Sequence, residues 1–546
     1  MPTLQFKGKN IIWNHHLSVP YHSLEKVEEL DFQPEMGEGN IIVEGDNLIA
    51  LKALLPEYSG KIKFIYIDPP YNTGKENWIY NDKVNSPMIN EWFKKNVGKD
   101  DLTRHDKWLC MIVPRLKLLR DLLADDGVIF ISIDDNEYGN LKAVMDEIFL
   151  EDNFIENYIW ESTFRPDNSS PLERENAQYV LCYSKNKSLL KRLYGNVAGS
   201  DGLPSLTKNS MKAGILEFPK ESVEFLISDG RYEAGQKKDN YVLLDDVTVE
   251  GGTNKSKFRL QGKMIWGQKY LEDQLAQDTK IIIKTEGFVP YSRKKEDSNL
   301  APNTIIPKDI VSDVLSGRAE IKNLFGDNPF EHPKPTSLIK YLLTTIGNTN
   351  CIVLDSFAGS GTTMNAVNDL NKIDGGNRKC ILVQMTEATE EEPDKNICRD
   401  ITRERNKLAI EKFGYESGFR YLKVGAAIDP DTMLDGELPT YNQFAEYVFY
   451  LATGGHLVDK ENINSENHFV GTEGSQAIYL IYEQDFDKLT RMALTLDIAE
   501  QIIAHSPGKR RTVFAPSCFL DEDYMSEKQI EFVSVPYNLF ERNAAY

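Results

Sequence analysis

Apolar positions fall into two separated blocks, each alternating short continuous runs with longer stretches of helical spacing. In the first block, Asn40–Leu55 (NIIVEGDNLIALKALL) reads as a short strand, a turn at Gly45 and a helix that opens near Asp46. A second strand is expected at Lys61–Ile67 (KIKFIYI) and another at Gly127–Ile133 (GVIFISI). Between them Trp108, Ile112, Leu116, Leu119 and Leu123 recur at helical spacing, with Pro114 predicted to kink that helix or mark its start. In the second block Cys351–Thr363, Cys380–Glu387 and Cys398–Phe413 read as strand, loop, helix, strand, helix. Short uninterrupted apolar strands alternating with helices predict an α/β protein whose parallel sheet is covered on both faces. The stretch between the blocks is rich in Gly, Asn, Ser and Lys, as at Val249–Gly267, and shows no period that can be assigned.

Composition bounds what such a chain does. With 546 residues and 41% hydrophobic content it has material for more than one core. No stretch approaches the roughly 20 apolar residues of a membrane helix, and the first 30 residues have no basic segment followed by an apolar one. A soluble, cytoplasmic protein is expected. The cysteines Cys110, Cys182, Cys351, Cys380, Cys398 and Cys518 are scattered without a C-x-x-C pair, so they are read as reduced packing residues and no metal site is expected.

A net charge of -21 argues against a basic nucleic-acid footprint, but the charge is uneven. Residues 161–330 hold 25 Lys and Arg against 24 Asp and Glu, whereas residues 428–546 hold 8 against 20. If the protein meets DNA, the middle segment is the least repulsive place; the acidic C-terminal segment suits protein contacts or solvent.

Two loops carry candidate chemistry. Asp355–Thr363 (DSFAGSGTT) puts Gly359 and Gly361 between a strand and a helix, where backbone without a Cβ lets a ligand approach closely. Met364 stands where the dinucleotide fingerprint needs Gly or Ala, and no phosphate loop is present. With Glu387 at the end of the next strand, placed to accept from ribose hydroxyls, the pattern fits a nucleoside ligand without pyrophosphate, although a structural turn also explains the glycines alone. Asp68–Tyr71 (DPPY) directly follows the second strand. There the Asp68 carboxylate and the Pro69 carbonyl, held extended by the prolines, form two acceptors for one exocyclic amino group. Tyr71 offers a ring for a base turned out of a duplex.

DPPY together with FAGSG resembles the amino-methyltransferases that transfer a methyl group from S-adenosylmethionine to an exocyclic nitrogen of adenine or cytosine in DNA. The amino-group motif precedes the cofactor motif, which resembles the beta group, in which the recognition domain lies between them. The segments GDNLIALKALLPEYSGKIKFIYIDPPYNTG, GVIFISIDDNEYGNLKAVMDEIF, NPFEHPKPTSLI, LDSFAGSGTT and CRDITRERNKLA are similar to the modification (Mod) subunit of type III restriction-modification systems, over about residues 40–425. In ENAQYVLCYSKN, Asn176 stands where relatives often have His.

The resemblance implies a doubly wound, S-adenosylmethionine-dependent methyltransferase fold with permuted motif order. It implies a first catalytic part at 1–160, an inserted target recognition domain at 161–330, a cofactor-binding part at 331–427 and an acidic α+β segment at 428–546 for dimer or partner contacts. Asp355, Phe357, Ala358, Gly359 and Gly361 would hold the methionine part of S-adenosylmethionine, Thr362 and Thr363 would open the helix, Lys334 and Pro335 of HPKP would assist, and Glu387 would bind the ribose. Asp68, Pro69, Pro70 and Tyr71 would be catalytic. Asp46 would sit beside the target base, cap its helix, or do both. Asp rather than Ser at position 68 favours adenine N6 over cytosine N4 in this family. Double-stranded DNA, a homodimer and a separate restriction subunit are the implied partners; cytosine-N4 methylation or a non-catalytic specificity subunit are the alternatives. Arg165, Lys255, Lys257 and Arg259 are candidates for DNA contacts.

Overall fold

The computed structural model describes residues 3–73, 104–164, 172, 174–195, 205–207, 211–238, 241–293, 301–388, 392–428 and 438–535. They form two compact units, Met1–Arg192 with Asn303–Tyr546, and Leu193–Pro302.

The larger unit is built on a nine-stranded sheet. Its order is Tyr21–Lys26, Arg420–Ile428, Ile41–Glu44, Lys379–Gln384, Ile352–Asp355, Ile62–Ile67, Leu123–Ile133, Ala177–Ser184, Phe154–Glu161. The strands from Arg420–Ile428 to Leu123–Ile133 run parallel. Both edges are antiparallel: Tyr21–Lys26 pairs with Arg420–Ile428, and Ala177–Ser184 lies between Leu123–Ile133 and Phe154–Glu161.

Successive strand residues point to opposite faces, so burial of both sets means cover on both sides. Ile65 and Ile67 join a core with the helices Asn47–Tyr58, Arg104–Leu122 and Tyr138–Phe149, and the alternate residues Phe64 and Tyr66 are buried as well. The helices Thr336–Thr345, Thr362–Asp374 and Glu404–Phe413 pack in succession, and Thr362–Asp374 lies on the Lys379–Gln384 strand. This is the doubly wound α/β arrangement that the alternating apolar runs predict. Arg104–Leu122 continues through Pro114, which therefore does not begin the helix.

The strands Phe154–Glu161 and Ala177–Ser184 complete the large sheet, so the compact inserted unit is shorter than the expected 161–330. The return segment also belongs to the larger unit: Ile159 N donates to the Thr304 carbonyl at 2.8 Å, Ile306 N to the Ile159 carbonyl at 2.9 Å, and the Trp160 indole N–H to the Ser312 carbonyl at 3.0 Å. The C-terminal segment is α+β, with a four-stranded sheet ordered Phe469–Glu473, Gln476–Leu480, Arg510–Ala515, Ile530–Ser534. Its helix Tyr441–Thr453, opened by a capping box between Thr440 and Gln443, shares a core with Tyr21 and Ile428.

The inserted unit contains a four-stranded and a six-stranded sheet around Leu216, Phe218, Val223, Phe258, Leu260 and Ile281. Among the described residues, no helix is long and apolar enough to cross a membrane.

Candidate active site

Ile62–Ile67 and Ile352–Asp355 are adjacent parallel strands, with Phe64 opposite Val353 and Ile65 opposite Leu354. Their carboxyl ends therefore lie at one edge of the sheet, and the Asp68–Tyr71 loop emerges beside the Asp355–Thr363 loop. Open α/β sheets bind ligands at this edge.

The Asp68 loop is fixed from several sides. Tyr71 donates its hydroxyl proton to Asp68 Oδ1 at 2.8 Å, and Gln178 Oε1 lies 3.3 Å from the same hydroxyl. Burial, reinforced by the Asp68 charge, pushes the Tyr71 phenol well above its usual range, so it remains a donor. Lys334 Nζ reaches Asp68 Oδ2 at 2.5 Å and stands 5.0 Å from the Tyr71 ring centroid. The Pro70 carbonyl accepts from the indole N–H of fully buried Trp108 at 2.7 Å. Asn72 follows in left-handed backbone at φ 60°, and its side-chain amide donates to Glu137. Glu137 has no exposed surface; it also accepts from Asn140 at 2.8 Å and meets His105 Nδ1 at 2.7 Å.

The glycine loop is held as tightly. Asp355 Oδ1 accepts from the Phe357 backbone N–H at 3.1 Å and Oδ2 from the Thr363 hydroxyl at 2.5 Å. Burial is the largest influence on Asp355, and its carboxyl is pushed up to about 7 despite those two donors. Gly359 and Gly361 take φ of +51° and +79°, the left-handed region that favours glycine. A Cβ on Gly361 would stand 2.4 Å from Asn406 Nδ2. Gly359 N donates to Gln384 Oε1 at 2.7 Å, and Gln384 Nε2 donates to Glu387 at 3.0 Å, which ties the loop to that acid. Glu387 sits three residues beyond its strand, at φ 57°, and burial raises its carboxyl. Arg405, wholly buried, donates from Nη1 to Ser360 and Thr362 at 2.7 and 2.6 Å and from Nη2 to Glu320 and Thr336 at 3.1 and 3.3 Å.

The residues singled out in the sequence thus divide. Asp68, Pro69, Pro70, Tyr71, Lys334, Asp355, Phe357, Ala358, Gly359, Gly361, Thr362 and Thr363 lie on the two loops or in contact with them. The Lys334 ammonium, expected toward a cofactor, lies on Asp68, while its carbonyl accepts from Thr362 at 3.2 Å. Pro335 is buried at the start of the Thr336–Thr345 helix. Asp46 caps its helix by accepting from Leu48 N and Ile49 N at 2.8 and 3.4 Å, and also pairs with Arg115 at 3.2 Å. Its side chain is still 33% exposed, leaving room for a further contact. Arg165 lies outside the described residues. Lys257 pairs with Glu217 at 3.3 Å and Arg259 with Asp245 at 2.8 Å. Sequence reasoning missed Glu137, Arg405 and Gln384, although DDNE and CRDITRERN were visible as polar runs beside predicted elements.

The loops also fit a nucleoside cofactor such as S-adenosylmethionine. Among the described residues the Ser356 hydroxyl is buried without a hydrogen-bond partner, beside a glycine turn without Cβ bulk and an acid suited to hydroxyl donors. A cavity of about 1130 Å³, lined by Tyr21, Glu57, Gln443 and Lys460 among others, lies away from these loops.

The fold and paired loops define a class, and comparison with known proteins gives its name: the family model described as DNA methylase matches residues 62–411, and the chain belongs to that family. Within it, the chain is 31% identical over 470 residues to the type III restriction-modification enzyme StyLTI Mod subunit of Salmonella typhimurium, covering 81% of this chain and 65% of that protein. It is 31% identical to the EcoP15I Mod subunit of Escherichia coli, covering 70% and 64%, and 30% identical to the type II methyltransferase M.KpnI of Klebsiella pneumoniae, covering 62% and 79%. The chain thus spans just under two thirds of the length of the two Mod relatives.

Proposed function

We propose that this protein is a site-specific DNA methyltransferase that transfers a methyl group from S-adenosylmethionine to N6 of an adenine turned out of the duplex, as the modification subunit of a type III restriction-modification system. The observation that carries the reading is the placement of Asp68 and the glycine loop at the ends of neighbouring parallel strands. The similarity to Mod subunits supports the system, with double-stranded DNA and a separate restriction subunit as partners, and a second copy of the chain is proposed beside them. Leu193–Pro302, whose 16 Lys and Arg balance 16 Asp and Glu, is the segment assigned to reading DNA.

When bound, S-adenosylmethionine supplies an electrophilic methyl on a sulfonium. Gly359 and Gly361 would let the backbone approach it, and Glu387 would accept from the ribose hydroxyls. Asp68 and the Pro69 carbonyl accept the two amino hydrogens, orienting the nitrogen lone pair toward the methyl group. The anionic carboxylate stabilises the positive charge that develops on nitrogen and takes up one proton for release to solvent. The Pro70 carbonyl, engaged by Trp108, keeps the backbone fixed while this happens.

The test is to incubate the purified chain with labelled S-adenosylmethionine and mixed-sequence duplex DNA, then digest to nucleosides. Label in N6-methyladenosine is expected. Label in N4-methylcytosine would reject the adenine assignment, and cofactor binding without labelled DNA, even with a restriction subunit added, would reject catalysis.

A further inference from the structure

The Asp68–Lys334 ion pair is at odds with the chemistry assigned to Asp68. Both carboxylate oxygens are engaged within the protein, Oδ1 by the Tyr71 hydroxyl at 2.8 Å and Oδ2 by the Lys334 ammonium at 2.5 Å. The pair is mostly shielded, with side-chain exposures of 23% and 10%, so its attraction is stronger than that of a surface pair. Methyl transfer places positive charge on the nitrogen that Asp68 receives. A cation resting on the same carboxylate repels that charge and weakens the acceptor. Productive chemistry therefore requires Lys334 to leave.

Lys334 is placed to do so. Its backbone carbonyl is tied to the Thr362 hydroxyl at 3.2 Å, at the start of the glycine-loop helix, while its side chain spans to the Asp68 loop. Among the described residues, Asp68 is the carboxylate within ion-pair distance of this ammonium. A shielded cation that gives up one carboxylate needs another, because an unpaired buried charge is costly. The cofactor of the proposed reaction has one anionic group, the carboxylate of its amino-acid end.

We propose that Lys334 is a positioning residue that pairs with Asp68 until cofactor binds and then transfers to the cofactor's carboxylate, so that cofactor entry frees Asp68 to receive the base. This rests on the proposed function and adds an order to it: cofactor first, base second. A ligand that must break an existing pair binds more weakly than it would without that pair, and the coupling is reciprocal.

The test measures binding by calorimetry, without DNA, for wild type, Asp68→Asn, Lys334→Met and the double variant, with melting curves to establish folding. The ligands are S-adenosylmethionine and methylthioadenosine, which lacks the carboxylate. Asp68→Asn is expected to tighten S-adenosylmethionine about 5-fold or more. In the Lys334→Met background the same change should have an effect within about twofold, and methylthioadenosine should be insensitive to it in either background. Lys334→Arg, which keeps the charge, should retain the coupling. Unchanged affinity in Asp68→Asn would overturn the proposal, as would equal tightening without Lys334. Absence of S-adenosylmethionine binding to wild type would instead reject the proposed function, and this inference with it.

Discussion

In the larger unit, Arg405 has no exposed surface and binds Ser360, Thr362, Thr336 and Glu320 at once, whereas in the inserted unit Arg231, Lys257 and Arg259 lie at the surface, each beside one carboxylate of Asp246, Glu217 or Asp245. The same kind of side chain does opposite work in these two places. A buried guanidinium with several acceptors fixes the glycine loop in one geometry, and removing it takes a donor from Glu320 and from three hydroxyls. An exposed cation with one partner contributes little to folding and exchanges readily for another anion, such as a phosphate. Under the proposed function, the buried Arg405 network would hold the cofactor loop and the exposed cations of the inserted unit would be free to exchange onto a polyanion.

Substitutions in the two units test that contrast. The largest effect on stability is expected from Arg405→Met, which should cost about 3–5 kcal/mol in denaturant unfolding. A cost below about 1 kcal/mol would mean that the buried network is dispensable. Gly361→Ala combines positive φ with a clash against Asn406 and should cost about 1–3 kcal/mol by the same measurement, together with cofactor affinity. A smaller effect depends on pH. His15 and His16 are buried with depressed pKa values of about 4 and about 3, caused first by burial and then by neighbouring cations including Lys52. Their neutral forms are favoured in the folded state, so this stability is fully present above about pH 6.5 and is lost as pH falls toward about 4 for His15 and about 3 for His16. The double variant His15→Leu/His16→Leu should show a flatter fall in melting temperature over that window. The smallest effect belongs to the inserted unit: Arg259→Ala should leave the melting temperature unchanged while weakening DNA binding and reducing its dependence on salt.

How much could be read from the sequence followed the range of the interaction. Continuous apolar runs such as KIKFIYI and CIVLD made the parallel sheet legible, because strands buried on both faces cannot alternate with polar residues. The helix cap at Asp46 was also legible, since it needs only a short polar side chain before a helical pattern. The Asp68–Lys334 pair joins residues 266 apart, and the contacts of Arg405 reach back 43 to 85 residues; such pairs leave no periodic trace. The limits of the inserted unit were hidden for a related reason. Phe154–Glu161 and Ala177–Ser184 are antiparallel strands of the large sheet, and the return segment at Thr304–Ile306 adds backbone pairing beside them that a single stretch of sequence does not reveal.

Under the proposed function, two loops far apart in the chain form one site in which Asp68 acts on the base and the glycine loop holds the cofactor. This assignment is tested most directly by measuring S-adenosylmethionine affinity and single-turnover methyl transfer to DNA in Asp68→Ala. Transfer is expected to fall by about 100-fold or more while cofactor affinity tightens. Transfer at the wild-type rate, or loss of both properties in a folded protein, would contradict the assignment.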